Sequence, residues 1–534
     1  MQDIDTRLPY RIGWPSPLPI LPLKTTLIEG DYRNSPEDDP ELGGGVVYLE
    51  DEDLTYIKCL ASMWRILDRH AVQAKSLELA FRHSLDSEPG EDSDRTLVIN
   101  CKGRTGSWLH CLTDIRSCWG GKGIFKRIEF LDVDQLKAPL HCITEDDPVL
   151  QLWERDYQSK VFAIVKERNW QSIDVFRCGT ASNIAECPAT VLIDAYDASD
   201  ATWWNDIIPN IQSQCHGWQV RLTQAYDLFR SSDNAKEPSV LRGPLGGPYG
   251  LENGSSIGPI NTAAFGTLGG FIRLKLPGCD VIQFALTNHH VVRDPTLSEE
   301  RKVLVSSPSI VDVDESLSAI AERIQGELED VQNSNHPSRE AEIREVKRYI
   351  EESKLLAHHI KSQAQQHGHV FSSSGVRTRD EAGCSWIMDW ALVQFPSTLE
   401  TSEKLRDAPM TKPAWKGREA STWSPSIRAG MRVHLKGRSS GWARGRVNGI
   451  KTTIKHRFEQ DDKLVSAWAF EPGAKRGDSG SFVFVSVNGQ VAGVYFGGSK
   501  GKRMGFFIPM DLIIQDIEEV TKGKVVWPQK STME

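Results

Sequence analysis

Three short polar segments, each bordering an apolar run, constrain the folding of this 534-residue chain more than any other feature of its sequence. The apolar runs are rich in β-branched and aromatic residues, a composition that predicts buried β-strands. Each polar segment would therefore lie at one end of a strand, where a rigid scaffold holds side chains in place. The runs are residues 281–287, 391–395 and 482–485, and the polar segments contain His289 and His290, Asp389, and Ser479.

These segments supply the three groups that activate a serine nucleophile. A serine hydroxyl is a poor nucleophile at neutral pH, so an imidazole must take its proton and a carboxylate must orient the imidazole. Gly477 and Gly480 flank Ser479, which predicts a tight turn that brings backbone N–H groups close to a substrate carbonyl. His289 and His290 both remain candidates for the base, because neighbouring residues of an extended segment point to opposite faces.

Four motifs, in chain order, resemble those of the chymotrypsin-like (trypsin-like, PA clan) serine peptidases. Residues 287–292 resemble the TNxHVV segment of HtrA-type proteases, and residues 504–509 resemble their GFAIP segment. Residues 437–447 are similar to the opening of the second barrel in streptogrisin-type enzymes, and residues 477–480 read Gly-Asp-Ser-Gly. The resemblance covers roughly residues 245–525, and four ordered motifs are far more specific than one. It implies an all-β double β-barrel in the C-terminal half.

The resemblance also implies a role for each site residue. Ser479 would attack the scissile carbonyl and His290 would pass the proton to the leaving amine. Asp389 would orient His290, and the amides of Gly477 and Ser479 would form the oxyanion hole. The family's TNxH spacing selects His290 over His289. The chain would then be a serine endopeptidase that works through an acyl-enzyme intermediate.

Two further expectations concern the surroundings of the nucleophile. Gly473 stands where relatives that cleave after Lys or Arg have an aspartate, so we expect an apolar P1 residue. Asp478 would need an internal cation if buried, and Lys436 or Arg438 would supply it. The residues that the resemblance places around the substrate pocket are Gly473, Tyr495, Phe496, Gly497, Gly498, Gly505 and Phe507.

The interval between His290 and Asp389, 99 positions, is long for a connection within one barrel. Apolar residues recur at helical spacing on both sides of a break at 333–337, which predicts a helical hairpin inserted at residues 315–366. We expect this insertion to lie on the surface, either as a plain solvated hairpin or guarding the cleft or meeting a partner. Neither it nor the first domain should be needed for bond cleavage, so the segment from about residue 240 onward should still react.

The N-terminal half contains no comparable constellation. Helical spacing at 51–69 and at about 202–214, with strands at 96–100 and 189–194, predicts an α+β domain over residues 1–235. A segment rich in Gly, Pro and Ser predicts a linker at 236–256. The peptidase domain would then occupy residues 257–525. The sequence does not indicate what the first domain binds.

Composition bears on partners and location. A net charge of −9 and a pI near 5.9 argue against nucleic acid as the main partner. We identify neither a secretory signal nor an apolar run of the ~18 residues that a membrane helix requires. Cys279 and Cys384 are the only cysteines after residue 240, so a disulfide framework is not expected and a cytoplasmic or nuclear location is favoured. Expected partners are protein or peptide substrates, with a further protein partner at the N-terminal domain or the insertion, and no cofactor or metal.

Two other classes of function compete with an active peptidase. One is a catalytically silent binding or scaffold protein, since a fold does not determine a function. An esterase would use the same chemistry, but α/β-hydrolases place the nucleophile first in chain order, within GxSxG. A zinc site is not expected at four nearby histidines, because no cysteine or carboxylate pattern completes its ligand set. They are His358, His359, His367 and His369. The three reactive residue types, in this order, favour the active peptidase.

Overall fold

The computed structural model describes residues 4–8, 11–14, 23–27, 51–84, 95–136, 138–225, 251–293, 303–333, 339–363, 367–399, 401–402, 422–424, 426–458, 461–473, 475–499, 502 and 504–526. The chain divides into two units. The first comprises Met1–His141, Trp153–Trp170 and Phe176–Ala225, and the second comprises Cys142–Leu152, Gln171–Val175 and Tyr226–Glu534. Most of the predicted linker at 236–256 lies outside the described residues.

The elements up to residue 225 include the predicted helix at 51–69 and the predicted strands near 96–100 and 189–194. Their bounds are β1 (Asp5–Leu8), β2 (Arg11–Trp14), β3 (Leu23–Leu27), α1 (Asp51–Arg69), β4 (Ala74–Ser84), β5 (Arg95–Cys101), α2 (Ser107–Trp119), β6 (Arg127–Asp132), α3 (Val133–Leu136), β7 (Leu140–His141), α4 (Pro148–Leu152), α5 (Gln158–Val165), β8 (Trp170–Cys178), β9 (Ala189–Ala195), α6 (Ile208–Gln214) and β10 (Gln219–Gln224). Short π-helical stretches precede α5 and α6, and a 3-10 turn precedes β9.

The first unit contains a mixed six-stranded sheet in the order β1-β2-β6-β5-β4-β3. Strands β5 and β6 are parallel and α2 connects them, whereas the other pairs are antiparallel. Helices α1 and α2 pack together, and their apolar faces are buried against the sheet in one cluster that includes Met63, Trp108 and Phe130. The helix–sheet layering follows because each element buries its one apolar face against the other.

The second unit is rich in strands. Its elements after residue 250 are β11 (Leu251–Glu252), β12 (Ser256–Pro259), β13 (Gly266–Thr267), β14 (Gly270–Lys275), β15 (Val281–Thr287), α7 (His289–Val292), β16 (Leu304–Ser306), α8 (Ile310–Asn333), α9 (Arg339–Gln363), β17 (His367–Ser373), β18 (Arg377–Glu381), β19 (Cys384–Met388), β20 (Ala391–Gln394), β21 (Thr401–Ser402), β22 (Arg432–Gly437), β23 (Gly441–Val447), β24 (Thr452–Phe458), β25 (Asp461–Glu471), β26 (Phe482–Val485), β27 (Val491–Ser499), β28 (Met504–Pro509), α10 (Met510–Thr521) and β29 (Lys524–Val526).

One sheet of this unit has eight strands in the order β13-β12-β16-β17-β20-β15-β14-β29. Strands β15 and β20, which were predicted from their apolar runs, are neighbours, with Leu286 opposite Leu392. Alternate side chains of these strands enter a core that also contains Phe271 and Val305. The pairing brings the end of β15 next to the start of β20, and therefore His290 next to Asp389.

A second set of six strands closes on itself. The strands follow the order β25-β23-β22-β26-β27-β28, and β28 returns to pair with β25 through Trp468 and Phe507. Closure leaves no free edge within this ring of strands. Val433, Phe470 and Val483 contribute to its apolar interior. The turn before β26 carries Ser479.

The helical insertion consists of two helices, α8 and α9, which pack against each other. The first begins at residue 310, five residues before the predicted start at 315, and the second ends at 363. Part of the predicted break, residues 334–337, lies outside the described residues. The guanidinium of Arg323 lies 4.9 Å from the ring centroid of Tyr349 and links the two helices. Their many charged side chains are those of helices with one face in solvent.

Residues before the predicted linker also belong to the second unit. Asn448 is fully buried and accepts from the amide of Ile143 at 2.8 Å, while its side-chain nitrogen donates to the carbonyl of Val175 at 3.0 Å. The ammonium of Lys502 donates to the carboxylate of Asp174 at 2.8 Å, in a buried ion pair. Residues 142–152 and 171–175 are therefore built into the unit that carries Ser479.

Candidate active site

The polypeptide turns from strand to helix at the candidate base. Strand β15 ends at Thr287, Asn288 is extended with φ −81° and ψ 150°, and residues 289–292 form the single helical turn α7. The expectation of an extended segment with His289 and His290 on opposite faces is therefore wrong, because this turn replaces the pleat. His290 is 8% exposed.

His290 contacts Asp389 through both its ring and its backbone. Its Nδ1 lies 2.5 Å from Oδ2 of Asp389, and its amide donates to Oδ1 at 3.0 Å. Asp389 is fully buried. Its carbonyl accepts from the side chain of Asn288 at 2.7 Å and from the amide of His289 at 3.2 Å. Because a carboxylate only accepts, Nδ1 of His290 carries the proton in this contact and Nε2 is the basic nitrogen.

His289 has a different environment. Its Nδ1 lies 3.1 Å from the hydroxyl of Ser373 on β17. Burial lowers the pKa of His289, and the nearby Asp389 opposes that shift. Its ring is therefore held neutral against a hydroxyl, while the carboxylate of Asp389 contacts its neighbour.

The turn that carries Ser479 requires its two glycines. Gly477 has φ +90° and Gly480 has φ +98°, conformations that disfavour residues with a Cβ. A Cβ on Gly480 would also overlap the carbonyl oxygen of Thr267. The amide of Thr267 donates to the carbonyl of Ser479 at 2.7 Å, and the Ser479 hydroxyl donates to the carbonyl of Phe496 at 3.2 Å.

Two backbone amides at Ser479 and the preceding glycine are available to a ligand. Within the described part of the chain, the amides of Gly477 and Ser479 donate to no acceptor. The amide of Gly480 donates to the carbonyl of Tyr495 at 2.8 Å, and that of Asp478 donates to the carbonyl of Lys475 at 3.2 Å. The amides of Asp478 and Gly480 are thus hydrogen-bonded within the protein. Those of Gly477 and Ser479, which the sequence predicts to form an oxyanion hole, are not.

Hydrogen bonds hold the carboxylate of Asp478. Its Oδ1 accepts from the amides of Ser439 and Ser440 at 2.8 and 3.0 Å. Its Oδ2 accepts from the amide of Lys475 at 2.8 Å and from the hydroxyl of Ser440. Among the described residues, no ion pair forms with Asp478. Burial raises the pKa of Asp478, and these hydrogen bonds oppose the rise.

The two cations proposed for that role bind other carboxylates. Arg438 donates to Asp312 from Nε at 2.7 Å. The ammonium of Lys436 lies 3.8 Å from Oε2 of Glu252. Arg438 still interacts electrostatically with Asp478, whose charge opposes the burial that lowers the pKa of Arg438 to about 10.

The residues predicted for the substrate pocket lie on β27 and β28 or precede the Ser479 turn. Tyr495 and Phe507 are buried in the apolar interior of the six-stranded ring. A Cβ on Gly505 would lie 2.6 Å from the Phe470 ring and 2.9 Å from that of Tyr495. Gly473 is equally crowded, because its Cβ would lie 2.6 Å from the amide of Gly505. Phe496 and Gly497 lie at a bulge in the β27–β28 pairing, and Gly498 lies opposite Gly505.

Comparison with known families decides the class of this protein. The model of peptidase family S64 matches residues 256–528, which are 273 of the 534 residues. The chain belongs to peptidase family S64. It is a serine-type peptidase, and its substrates are therefore proteins or peptides. The matched region contains His290, Asp389 and Ser479.

Three solved structures are similar to part of this chain. A glutamic acid specific serine protease is 10% identical, with a TM-score of 0.27, 52% of this chain covered and 100% of that chain. The active form of the Rv3671c protease from M. tuberculosis is 12% identical, with a TM-score of 0.23 and coverages of 55% and 94%. Tobacco etch virus protease complexed with product is 11% identical, with a TM-score of 0.19 and coverages of 50% and 83%. No curated protein matches.

Several residues of this peptidase that support the site were not identified from the sequence. Trp390, next to Asp389, donates from its indole to Asp516 on α10 at 2.7 Å. Asp516 is 1% exposed and also accepts from Arg377 at 2.6 and 2.7 Å. The amide of Trp390 donates to the hydroxyl of Ser374 at 2.8 Å. These contacts fix the backbone on the C-terminal side of Asp389. No local sequence pattern predicts them, because Asp516 lies 126 positions from Trp390.

Two negative findings apply to the described residues. They contain no cluster of His, Cys, Asp and Glu side chains that would hold a metal ion. None of the helices they form is both long and apolar enough to cross a membrane. All ten cysteines are free thiols.

Proposed function

We propose that this chain is a serine endopeptidase in which Ser479 is the nucleophile, His290 the general base and Asp389 the residue that orients it. The observation that carries the proposal is the double contact of Asp389 with the ring and the amide of His290. It fixes the tautomer in which Nε2 accepts a proton. A glycine-flanked turn with two unoccupied amides complements this pair.

In the proposed reaction, the Ser479 oxygen attacks the scissile carbonyl carbon while its proton moves to Nε2 of His290. The carbonyl oxygen becomes an oxyanion, which the amides of Gly477 and Ser479 stabilise. His290 then gives the proton to the leaving amine as the C–N bond breaks, and an acyl-enzyme remains. Water then attacks the acyl carbon and gives a proton to His290, which passes it to the Ser479 oxygen as the acyl C–O bond breaks and the carboxylic acid leaves.

We further propose that the peptidase has the double β-barrel of the chymotrypsin-like fold, in the manner of its HtrA and streptogrisin branches. The self-closing ring of β22, β23 and β25–β28 supports one barrel. The eight-stranded sheet that holds His290 and Asp389 supports the other. Under this proposal the nucleophile and its base come from different barrels, and residues 257–525 form the core of the peptidase domain.

The P1 side chain would be apolar. The space at Gly473 supports this preference, because the backbone of Met504 and Gly505 fills the position where a carboxylate would bind Lys or Arg. Phe496, Gly497 and Gly498 would line the pocket and pair with the substrate backbone. Tyr495, Gly505 and Phe507 would shape it from the interior of the ring.

A fluorophosphonate probe tests the proposal, because it labels a serine only when that serine is activated. Purified full-length protein should be labelled at one serine, and Ser479→Ala should abolish the labelling. His289→Ala serves as the matched control and should be labelled, whereas His290→Ala should not. If folded wild-type protein is not labelled and cleaves no peptide in a diverse library, the chain is a silent binding or scaffold protein and the proposal is wrong.

A further inference from the structure

The first turn of the inserted helix α8 contacts Arg438, which borders Gly477 in the turn that carries Ser479. We propose that Asp312, in this turn, is a positioning residue that holds the Gly477 peptide through Arg438. The inference rests on the proposed function, since it gives Asp312 a role in the reaction at Ser479. Asp312 lies three positions before the insertion predicted at 315–366, so the sequence analysis gave this turn no role.

Asp312 and Arg438 form a buried, two-pronged ion pair. Arg438 donates from Nε to Oδ2 at 2.7 Å and from Nη2 to Oδ1. The side chain of Arg438 is 4% exposed and that of Asp312 is 0% exposed. Glu315 is 3.9 Å from the same guanidinium but is 42% exposed. A two-pronged contact sets the plane of the guanidinium as well as its position, which a single exposed charge does not.

The fixed guanidinium lies against Gly477. A Cβ on Gly477 would be 3.0 Å from Nη1 of Arg438 and 3.1 Å from the ring of Phe265. The guanidinium carbon lies 3.9 Å from the centroid of that ring. Nη1 also donates to the Ser439 hydroxyl at 3.1 Å. The guanidinium, the Phe265 ring and the Ser439 hydroxyl thus all border the α-carbon of Gly477.

A second path joins the same residues through the backbone. The amide of Arg438 donates to the hydroxyl of Thr267 at 3.0 Å, and that hydroxyl donates to the carbonyl of Gly477 at 2.9 Å. The carbonyl of Gly477 and the amide of Asp478 belong to one peptide plane, and the amide of Gly477 belongs to the plane before it. The Thr267 contact restrains the peptide plane after Gly477, and the guanidinium borders its α-carbon, so together they limit the movement of the residue whose amide is proposed for the oxyanion hole.

The carboxylate of Asp312 is free to bind Arg438 because the hydroxyl of Ser309 caps the start of α8. Ser309 accepts from the amide of Asp312 at 3.3 Å and is in turn bonded to Ser256 at 2.9 Å. This hydroxyl caps the start of α8, a task that an acidic residue at the third helical position often shares. Asp312 instead directs its carboxylate to Arg438. The start of the helix is therefore anchored to the peptidase core while its remaining length extends beyond the site.

The test compares Asp312→Asn with Glu315→Gln, the control that removes a charge beside the same guanidinium. Both are made in the full-length chain, and melting and circular dichroism establish folding. We expect Asp312→Asn to slow fluorophosphonate labelling and to lower kcat about tenfold or more, with KM little changed, because a misdirected oxyanion donor acts in the transition state. Glu315→Gln should stay within about twofold of wild type. Asp312→Glu, which keeps the charge, should recover part of the rate.

A second variant covers the case in which Asp312→Asn does not fold. Asp312→Leu combined with Arg438→Met replaces the pair by apolar side chains and leaves no unpaired buried charge. This folded double variant should also react slowly. Wild-type rates in either folded variant, or failure of both to fold, would show that the pair is structural and would overturn the inference. If the wild-type protein itself is not labelled, the proposed function fails instead.

Discussion

Asp389 gives one carboxylate oxygen to the ring of His290 and the other to its amide, with distances of 2.5 Å to Nδ1 and 3.0 Å to the backbone nitrogen. Both contacts require acceptors. An amide side chain has one acceptor and one donor, so it cannot satisfy both N–H groups in any orientation.

We therefore expect Asp389→Asn to lower kcat by about 10³- to 10⁴-fold with little change in KM, because His290 would adopt the wrong tautomer. Steady-state kinetics on a peptide substrate measure the effect. His289→Gln is the control, since His289 contacts Ser373 and not this carboxylate. If kcat of the folded Asp389→Asn variant decreases by less than about tenfold, the role proposed for Asp389 is wrong.

The sequence predicted the segments of the site better than their mutual contacts. The runs before His289, after Asp389 and after Ser479 are the strands β15, β20 and β26, because apolar periodicity is a local property. The turn α7 was missed because four residues are too few to show a period. The partners of Asp478 were missed because backbone amides have no sequence signature. Such contacts depend on tertiary geometry alone.

Specificity offers a test of the Gly473 position. Profiling with a peptide library should give cleavage after apolar residues, with kcat/KM for Lys or Arg at P1 lower by about tenfold or more, because a buried cation would be unpaired there. Gly473→Asp should not create a basic preference, since even a Cβ lies 2.6 Å from the Gly505 amide. Dominant cleavage after Lys or Arg by the wild-type protein would refute the assignment.

The carboxylate of Asp478 leaves no room for a side chain at Gly437. A Cβ there would overlap Oδ1 and Cγ of Asp478, which is completely buried. Gly437→Ala should therefore destabilise the fold by about 1–3 kcal/mol and slow the labelling of Ser479. Gly326→Ala is the opposite control: its Cβ meets no atom within 4 Å in helix α8, so it should be neutral or stabilising by up to about 1 kcal/mol. Denaturant unfolding measures the free energy of unfolding of both variants. Equal changes in that free energy would contradict the prediction.

The pH dependence of stability should include a contribution from His434. Burial lowers its pKa below the ordinary value of 6.5, with Arg444 adding to the shift. Between the lowered value and 6.5 the unfolded chain binds a proton that the native state does not, so this contribution is complete above pH 6.5 and is lost as the pH falls. His434→Gln should reduce the loss of stability between pH 7.5 and pH 5.5.

The control for this titration is His358→Gln, at an exposed position on α9. It should leave the pH dependence of the melting temperature unchanged. Asp478 acts in the opposite direction, because burial raises its pKa and protonation at falling pH favours the fold. The difference between each variant and the wild type is therefore the informative quantity. Parallel curves for His434→Gln and wild type would exclude a contribution from His434.

The buried side chain of Asn448 tests whether the N-terminal half contributes to the folding of the peptidase unit. It bonds the Ile143 amide and the Val175 carbonyl, so Asn448→Ala leaves buried partners unsatisfied and should destabilise the unit by about 2–4 kcal/mol. Asn488→Ala, in an exposed turn, should change stability by less than about 0.5 kcal/mol.

The same contacts predict the behaviour of a truncated chain. A protein that starts at residue 251 lacks residues 142–152 and 171–175, which leaves Asn448 and the ammonium of Lys502 without the partners described above. It should fail to fold, or should unfold at a much lower denaturant concentration than the full chain, because buried polar groups that lose hydrogen bonds cost about 1–3 kcal/mol each. Proteolysis and fluorophosphonate labelling of the truncated chain measure the outcome. A truncated protein as stable and as reactive as the full chain would show that these segments only decorate the peptidase unit.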